Sequence, residues 1–177
     1  MSELYGSDAY APREIAARVE AVGVTKARMA TLPLLMLGLL AGAFISLGAL
    51  FFVIVRSDPT LGYAAGQLAG GVAFSLGLLL VVVAGAGLFT GNNLLAMGWA
   101  DGGISTRDVL YNWLVVCTAN FVGAAGLALV AFLSGHADMH DGAIGRTYLQ
   151  IAAAKSALPF QEAFFRGVLC NVLVCMA

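Results

Sequence analysis

Between Pro59 and Ala100 the chain carries no Asp, Glu, Lys or Arg, and inside that stretch stands Gly85-Ala-Gly-Leu-Phe-Thr-Gly-Asn-Asn93. A membrane helix needs ~20 apolar residues, so the stretch is too long for one span and barely long enough for two. A plain lipid-facing helix gains nothing from Gly and Asn near its middle. Non-helical backbone at membrane depth survives only where protein buries it or where it lines a cavity. The stretch therefore predicts a helix broken at residues 87–93, and broken helices in membranes build binding sites. At this level an ordinary aqueous loop is the alternative.

Composition points the same way. Hydrophobic residues make up 60% of the chain and charged residues 11%, with a mean hydropathy of +0.91. Soluble domains carry about 25% charged residues. The expected fold class is an all-α membrane protein. A formal net charge of −1 provides no basic field for nucleic acid, so none is expected as a partner. Cys117, Cys170 and Cys175 lie in apolar segments without a CxxC pattern and read as small hydrophobes. His136 and His140, with Asp138 and Asp141, share a Gly-bearing segment. A solvated loop accounts for them better than a metal site. Neither a cofactor nor a metal is expected. With no nucleophile–base pair in view, neither is an enzyme.

Residues 1–30 read as a cytoplasmic N-terminal segment. In it Ile15, Val19 and Val22 follow a helical spacing. Such a helix can lie on the membrane surface or pack on the protein's own loops. Residues 31–177 read as the transmembrane domain. Its expected spans are about 32–55, 63–100 with the break, 109–133 and 158–177, with a polar loop over 134–154. On the first span Gly38, Gly42, Ser46 and Gly48 permit close helix contact. Asn112 and Asn120 on the third suggest either a water-lined face or hydrogen bonds between helices. Glu162 and Arg166, four apart, read as a structural pair. Arg13, Arg18, Lys26 and Arg28 precede the first span and only Arg56 follows it, which places the N-terminus in the cytoplasm.

Leu88-Phe-Thr-Gly-Asn-Asn93 resembles the signature loop of the formate/nitrite transporter family. Gly23-Val-Thr-Lys26, Gly70-Gly-Val-Ala-Phe-Ser-Leu-Gly77, Asn112-Trp113, Asn120-Phe-Val-Gly-Ala124, Ala154-Lys155 and Gly167-Val-Leu-Cys-Asn-Val-Leu-Val-Cys175 resemble its other motifs, in the family's order. The resemblance implies an aquaporin-like helical bundle and a homopentamer in the cell inner membrane, with a pore in each protomer. It implies movement of small monovalent anions such as formate or nitrite. Thr90, in Leu88-Phe89-Thr90, matches the threonine of the broken loop. Leu78 and Leu88 match a cytoplasmic constriction, Phe74 a periplasmic one. Lys155 matches a buried lysine that draws anions inward, and Asn171 an asparagine of the fourth helix.

Two departures accompany the match. Gly87 stands where the family often has an acidic residue. The Gly-Phe-Glu-His-Ser-x-x-Asn motif of the family's fifth helix is missing from the chain. The chain is therefore expected to be the N-terminal part of a transporter, ending after the fourth helix. Each residue also has a plainer reading. Thr90 can cap the following half-helix. Lys155 can snorkel to the interface. Phe74, Leu78 and Leu88 can be core residues. The alternative function is a truncated, non-transporting membrane subunit or scaffold.

Overall fold

A computed structural model describes residues 10–176. Seven α-helices follow one another: α1 (Pro12–Ala27), α2 (Thr31–Arg56), α3 (Tyr63–Val83), α4 (Leu95–Ala100), α5 (Thr106–Leu133), α6 (Ala143–Ser156) and α7 (Phe160–Met176). By length and composition α2, α3 and α5 can each cross a bilayer, and α6 and α7 form a pair bent by 110°. Their outer faces are apolar, with Phe121 and Leu133 on α5 74% and 72% exposed. Water would penalise that surface at about 25 cal/mol per Å2, whereas lipid would not. The chain is an all-α membrane protein.

α2 runs between α3 and α5. With no hydrophobic drive between helices in lipid, association depends on close packing. A Cβ on Gly42 would lie 2.0 Å from the Asn120 carbonyl oxygen, and one on Gly123 would lie 2.1 Å from that of Leu39. Backbone therefore touches backbone along the α2–α5 seam. Gly42→Ala is expected to destabilise the fold by about 1–3 kcal/mol or more, because the obstacle is main chain and cannot rotate away. Gly126→Ala is the control, since nothing lies within 4 Å of a Cβ there. Thermal unfolding in detergent compares them, and equal melting temperatures would contradict the seam.

α3 stops at Val83 because the next residues close a helix C-terminal motif. Gly85 takes a left-handed φ of 62°. Its N–H donates to the Val82 carbonyl, and that of Ala86 to the Val81 carbonyl. This pattern satisfies the orphan carbonyls of the helix end. The break thus begins at Ala84, three residues before the Gly87 expected from sequence. Irregular chain leads to a 3-10 turn, Gly91–Leu94, and then to the short α4.

The expected loop at 134–154 is mostly helix. A 3-10 turn at His136–Asp138 precedes α6. Ile144 and Thr147 are buried, and Tyr148 and Ile151 half-buried, on one face of α6. Their spacing of three and four residues is what an amphipathic helix requires. Pro159 then disfavours helical geometry at Leu158, and α7 sets off in a new direction. In α1, the expected ridge is 49% and 54% exposed at Ile15 and Val22 and half-buried at Val19, while Gly23 and Ala27 on another face are buried. Ala27 belongs to a cluster with Leu95, Ile104 and Val109. α1 therefore packs on the protein while Ile15 and Val22 of its apolar ridge stay exposed.

Candidate functional site at the broken helix

Side-chain amides hold the non-helical backbone of the break. Asn120 Nδ2 donates to the Gly38 carbonyl at 2.8 Å and to the Gly87 carbonyl at 2.9 Å, and its Oδ1 accepts from the Phe89 N–H at 2.8 Å. The Gly87 N–H donates to the Leu37 carbonyl at 3.2 Å. One amide thus ties α2, α5 and the break together, leaving little of its own bonding capacity unused. Helix-to-helix hydrogen bonding, one of the two roles open to Asn120 from sequence, is the one observed.

A second amide chain lies below it. Asn92 Nδ2 donates to Asn112 Oδ1 at 2.8 Å, and Asn112 Nδ2 donates to the Lys26 carbonyl at 3.1 Å. Trp113 Nε1 donates to the Asn92 carbonyl at 3.0 Å. The Phe89 ring meets Trp113 edge-on at 6.3 Å. On the far side α7 supplies Asn171, whose Oδ1 accepts from Asn93 Nδ2. Cys175 Sγ donates to the Thr90 carbonyl at 3.5 Å. An open groove of about 540 Å3 runs along this contact, lined by Asn93, Phe164, Gly167, Asn171 and Cys175.

Two side-chain oxygens in the break are buried with no protein partner, Thr90 Oγ1 and Asn92 Oδ1. Thr90 stands at the N-cap of the 3-10 turn, yet its side chain makes no capping bond. Its hydroxyl is therefore not accounted for as a helix cap. A buried polar atom left unpaired costs about 1–3 kcal/mol.

Leu88 packs against Ala41, Val81 and Ala86. Phe74 and Leu78 are half-buried on α3. Lys155 lies in the last turn of α6 and is exposed, unlike the buried lysine that the resemblance implied. α6 buries the face carrying Ile144 and Thr147, and Lys155 lies at its other end, where a cation suits the helix dipole. Lys26, which the sequence places in a family motif and among the orienting basic residues, also stands next to the break. It is partly buried at the end of α1, and burial lowers its pKa. It lines a cavity of about 220 Å3 with Arg18, Gly91 and Asn92. The polarity of Asn112 and Asn120 in an apolar span was the available signal for the amide network, but spacing could not name their partners.

A polar, discontinuous span held by its neighbours' amides is an architecture of membrane channels and transporters. Comparison with known proteins identifies which kind. The sequence pattern of the formate/nitrite transporters matches residues 13–177, and the chain belongs to the formate/nitrite transporter family. It is 37% identical over 171 residues to the formate channel FocA of Escherichia coli K12, covering 96% of this chain and 60% of that one. It is 37% identical to the formate channel BtFdhC of Bacillus thuringiensis, covering 94% and 64%. Among solved structures it resembles a pentameric formate channel with formate bound, with a TM-score of 0.76, 32% identity and coverage of 82% and 58%. It also resembles an FNT family ion channel, with a TM-score of 0.79, 27% identity and coverage of 92% and 66%. The chain spans about 60% of the length of the curated relatives it matches.

Proposed function

We propose that the protein moves small monovalent anions, formate or nitrite or related weak acids, through a pore within each protomer of a homopentamer. The observation that carries this reading is the unpartnered Thr90 hydroxyl in the middle of the break, in a chain of this family. A charge at mid-bilayer costs several kcal/mol. The Thr90 hydroxyl offers a hydrogen bond to an anion there, and Asn171 supports the loop from α7. Phe74, Leu78, Leu88 and Phe89 form the apolar surroundings that narrow the path. Protonation of the anion to the neutral acid removes most of the desolvation cost. Lys155 raises the local anion concentration at the outer entrance. The proposed setting is the inner membrane, with the N-terminus in the cytoplasm.

The test is flux in proteoliposomes under an imposed formate or nitrite gradient. Flux above empty liposomes is expected. Its absence would favour a protein that only packs against partners. Lys155→Ala is expected to slow uptake by about threefold to tenfold at low salt and low formate, and less at high salt. Lys155→Arg should retain most of the rate. An alanine variant with unchanged uptake under these conditions would remove Lys155 from the pathway.

A further inference from the structure

At the C-terminal end of α2, a cavity of about 430 Å3 is lined by Arg56, His140, Asp141, Arg146, Thr147 and Gln150 among others. Arg56 ends α2 and is half-buried. Its side chain lies along the glycines of α3. A Cβ on Gly66 would come within 2.8 Å of Arg56 Nη1, and one on Gly70 within 3.5 Å of its Cγ. The guanidinium is thus seated in a groove that a side chain at 66 would fill. Arg146 stands in the first turns of α6, and its Nη1 donates to the Asp141 carbonyl at 2.9 Å. The residues before α6 hold an uncommon backbone, with φ of 54° at His140, 51° at Asp141 and 73° at Gly142.

Neither arginine is paired with a carboxylate. Among the described residues the ion pair is Arg166–Glu162. Asp58, two residues after Arg56, uses Oδ1 to accept from both the N–H and the hydroxyl of Thr60. Two guanidiniums therefore share one cavity with most of their donors free, and Asp141, which also lines it, meets Arg146 through its main-chain carbonyl and forms no ion pair with either arginine. Like charges so placed repel, and an anion between them reverses the sign of that energy. The planar five-donor fork of Arg matches carboxylate and phosphate oxygens two at a time.

We propose that this cavity is an oxyanion site, in which Arg56 and Arg146 grip a carboxylate or phosphate group and Gln150 and His140 offer further donors. The site is separate from the broken helix and does not rest on the transport reading. Two sources fit its chemistry, a small anion from solution and the phosphate of a lipid headgroup.

The experiment uses the purified protein in nanodiscs of zwitterionic lipid, titrated with inorganic phosphate and with formate by calorimetry. A parallel arm measures retention of phosphatidylglycerol by native mass spectrometry. In whichever arm the wild type binds, Arg56→Gln and Arg146→Gln are each expected to weaken binding about tenfold or more. Gly66→Leu, which displaces the guanidinium without removing it, should do the same. Arg166→Gln, on a different helix, should bind as wild type. Loss in the calorimetric arm identifies a soluble anion, and loss in the lipid arm a headgroup. Arg146 is exposed, so its variant tests binding without threatening the fold. Equal affinity of the wild type and the Arg56→Gln/Arg146→Gln double variant in both arms would overturn the site, as would no binding in either.

Discussion

Asn120→Leu is expected to melt the break while leaving the long helices in place. The leucine is close in volume and apolar, so little is lost in packing against α2. What is lost is the partner of two main-chain groups of the break at once, the carbonyl of Gly87 and the N–H of Phe89, together with a second bond to the Gly38 carbonyl, which keeps its own helical bond in α2. Each buried group left unpaired costs about 1–3 kcal/mol, so for the two groups the sum is on the order of 2–6 kcal/mol. That is a large fraction of the whole stability of many domains, ~5–15 kcal/mol. α2, α3 and α5 keep their own backbone bonds, so circular dichroism should change little. Hydrogen exchange at the Phe89 amide should rise by several orders of magnitude, and any flux should vanish. A Phe89 amide as protected in Asn120→Leu as in the wild type would mean that another group holds the loop.

The same side chain marks how far sequence alone reaches. The broken span was legible because 42 consecutive residues cannot be uncharged in a soluble loop, and because Gly and Asn in such a run have no use in a plain span. The glycine seam was legible as small-residue spacing on α2, though not its partner, Leu39 and Asn120 lying on the two facing helices α2 and α5. The start of the break was misplaced because Gly85 and Gly87 both stand in the run, and only the backbone reveals that Gly85 takes the left-handed turn. α6 was missed because its polar flanks, Asp138 to Arg146 and Lys155, mask a buried face of only a few residues, Ile144 and Thr147 foremost. Asn112 and Asn120 advertised hydrogen bonds by their polarity, yet their partners lie 20 to 86 residues away in sequence, beyond what any local pattern encodes. Lys155 is exposed where the resemblance implied a buried lysine, and its exposure depends on what surrounds α6.

Thr90→Val is expected to separate stability from transport. Valine has nearly the shape of threonine but carries a methyl group in place of the hydroxyl. Because Thr90 Oγ1 is buried with no protein partner and caps nothing, its removal breaks no bond within the fold. Replacing an unpaired buried polar group by an apolar one of the same shape is neutral or stabilising, here by up to about 1–3 kcal/mol. The melting temperature in detergent should therefore hold or rise. Formate flux should fall about tenfold to a hundredfold, because a hydrogen bond to a charged group is worth roughly 1.5–3 kcal/mol and the passing anion would lose it. Thr90→Ser keeps the hydroxyl and should retain most of the flux. A structural role for the hydroxyl predicts the reverse order, with the valine variant melting earlier and flux falling only as far as folded protein is lost. Normalising flux to the folded fraction distinguishes the two. If Thr90→Val melts several degrees lower than the wild type, or transports formate at the wild-type rate per folded protein, the hydroxyl is not the group that meets the anion.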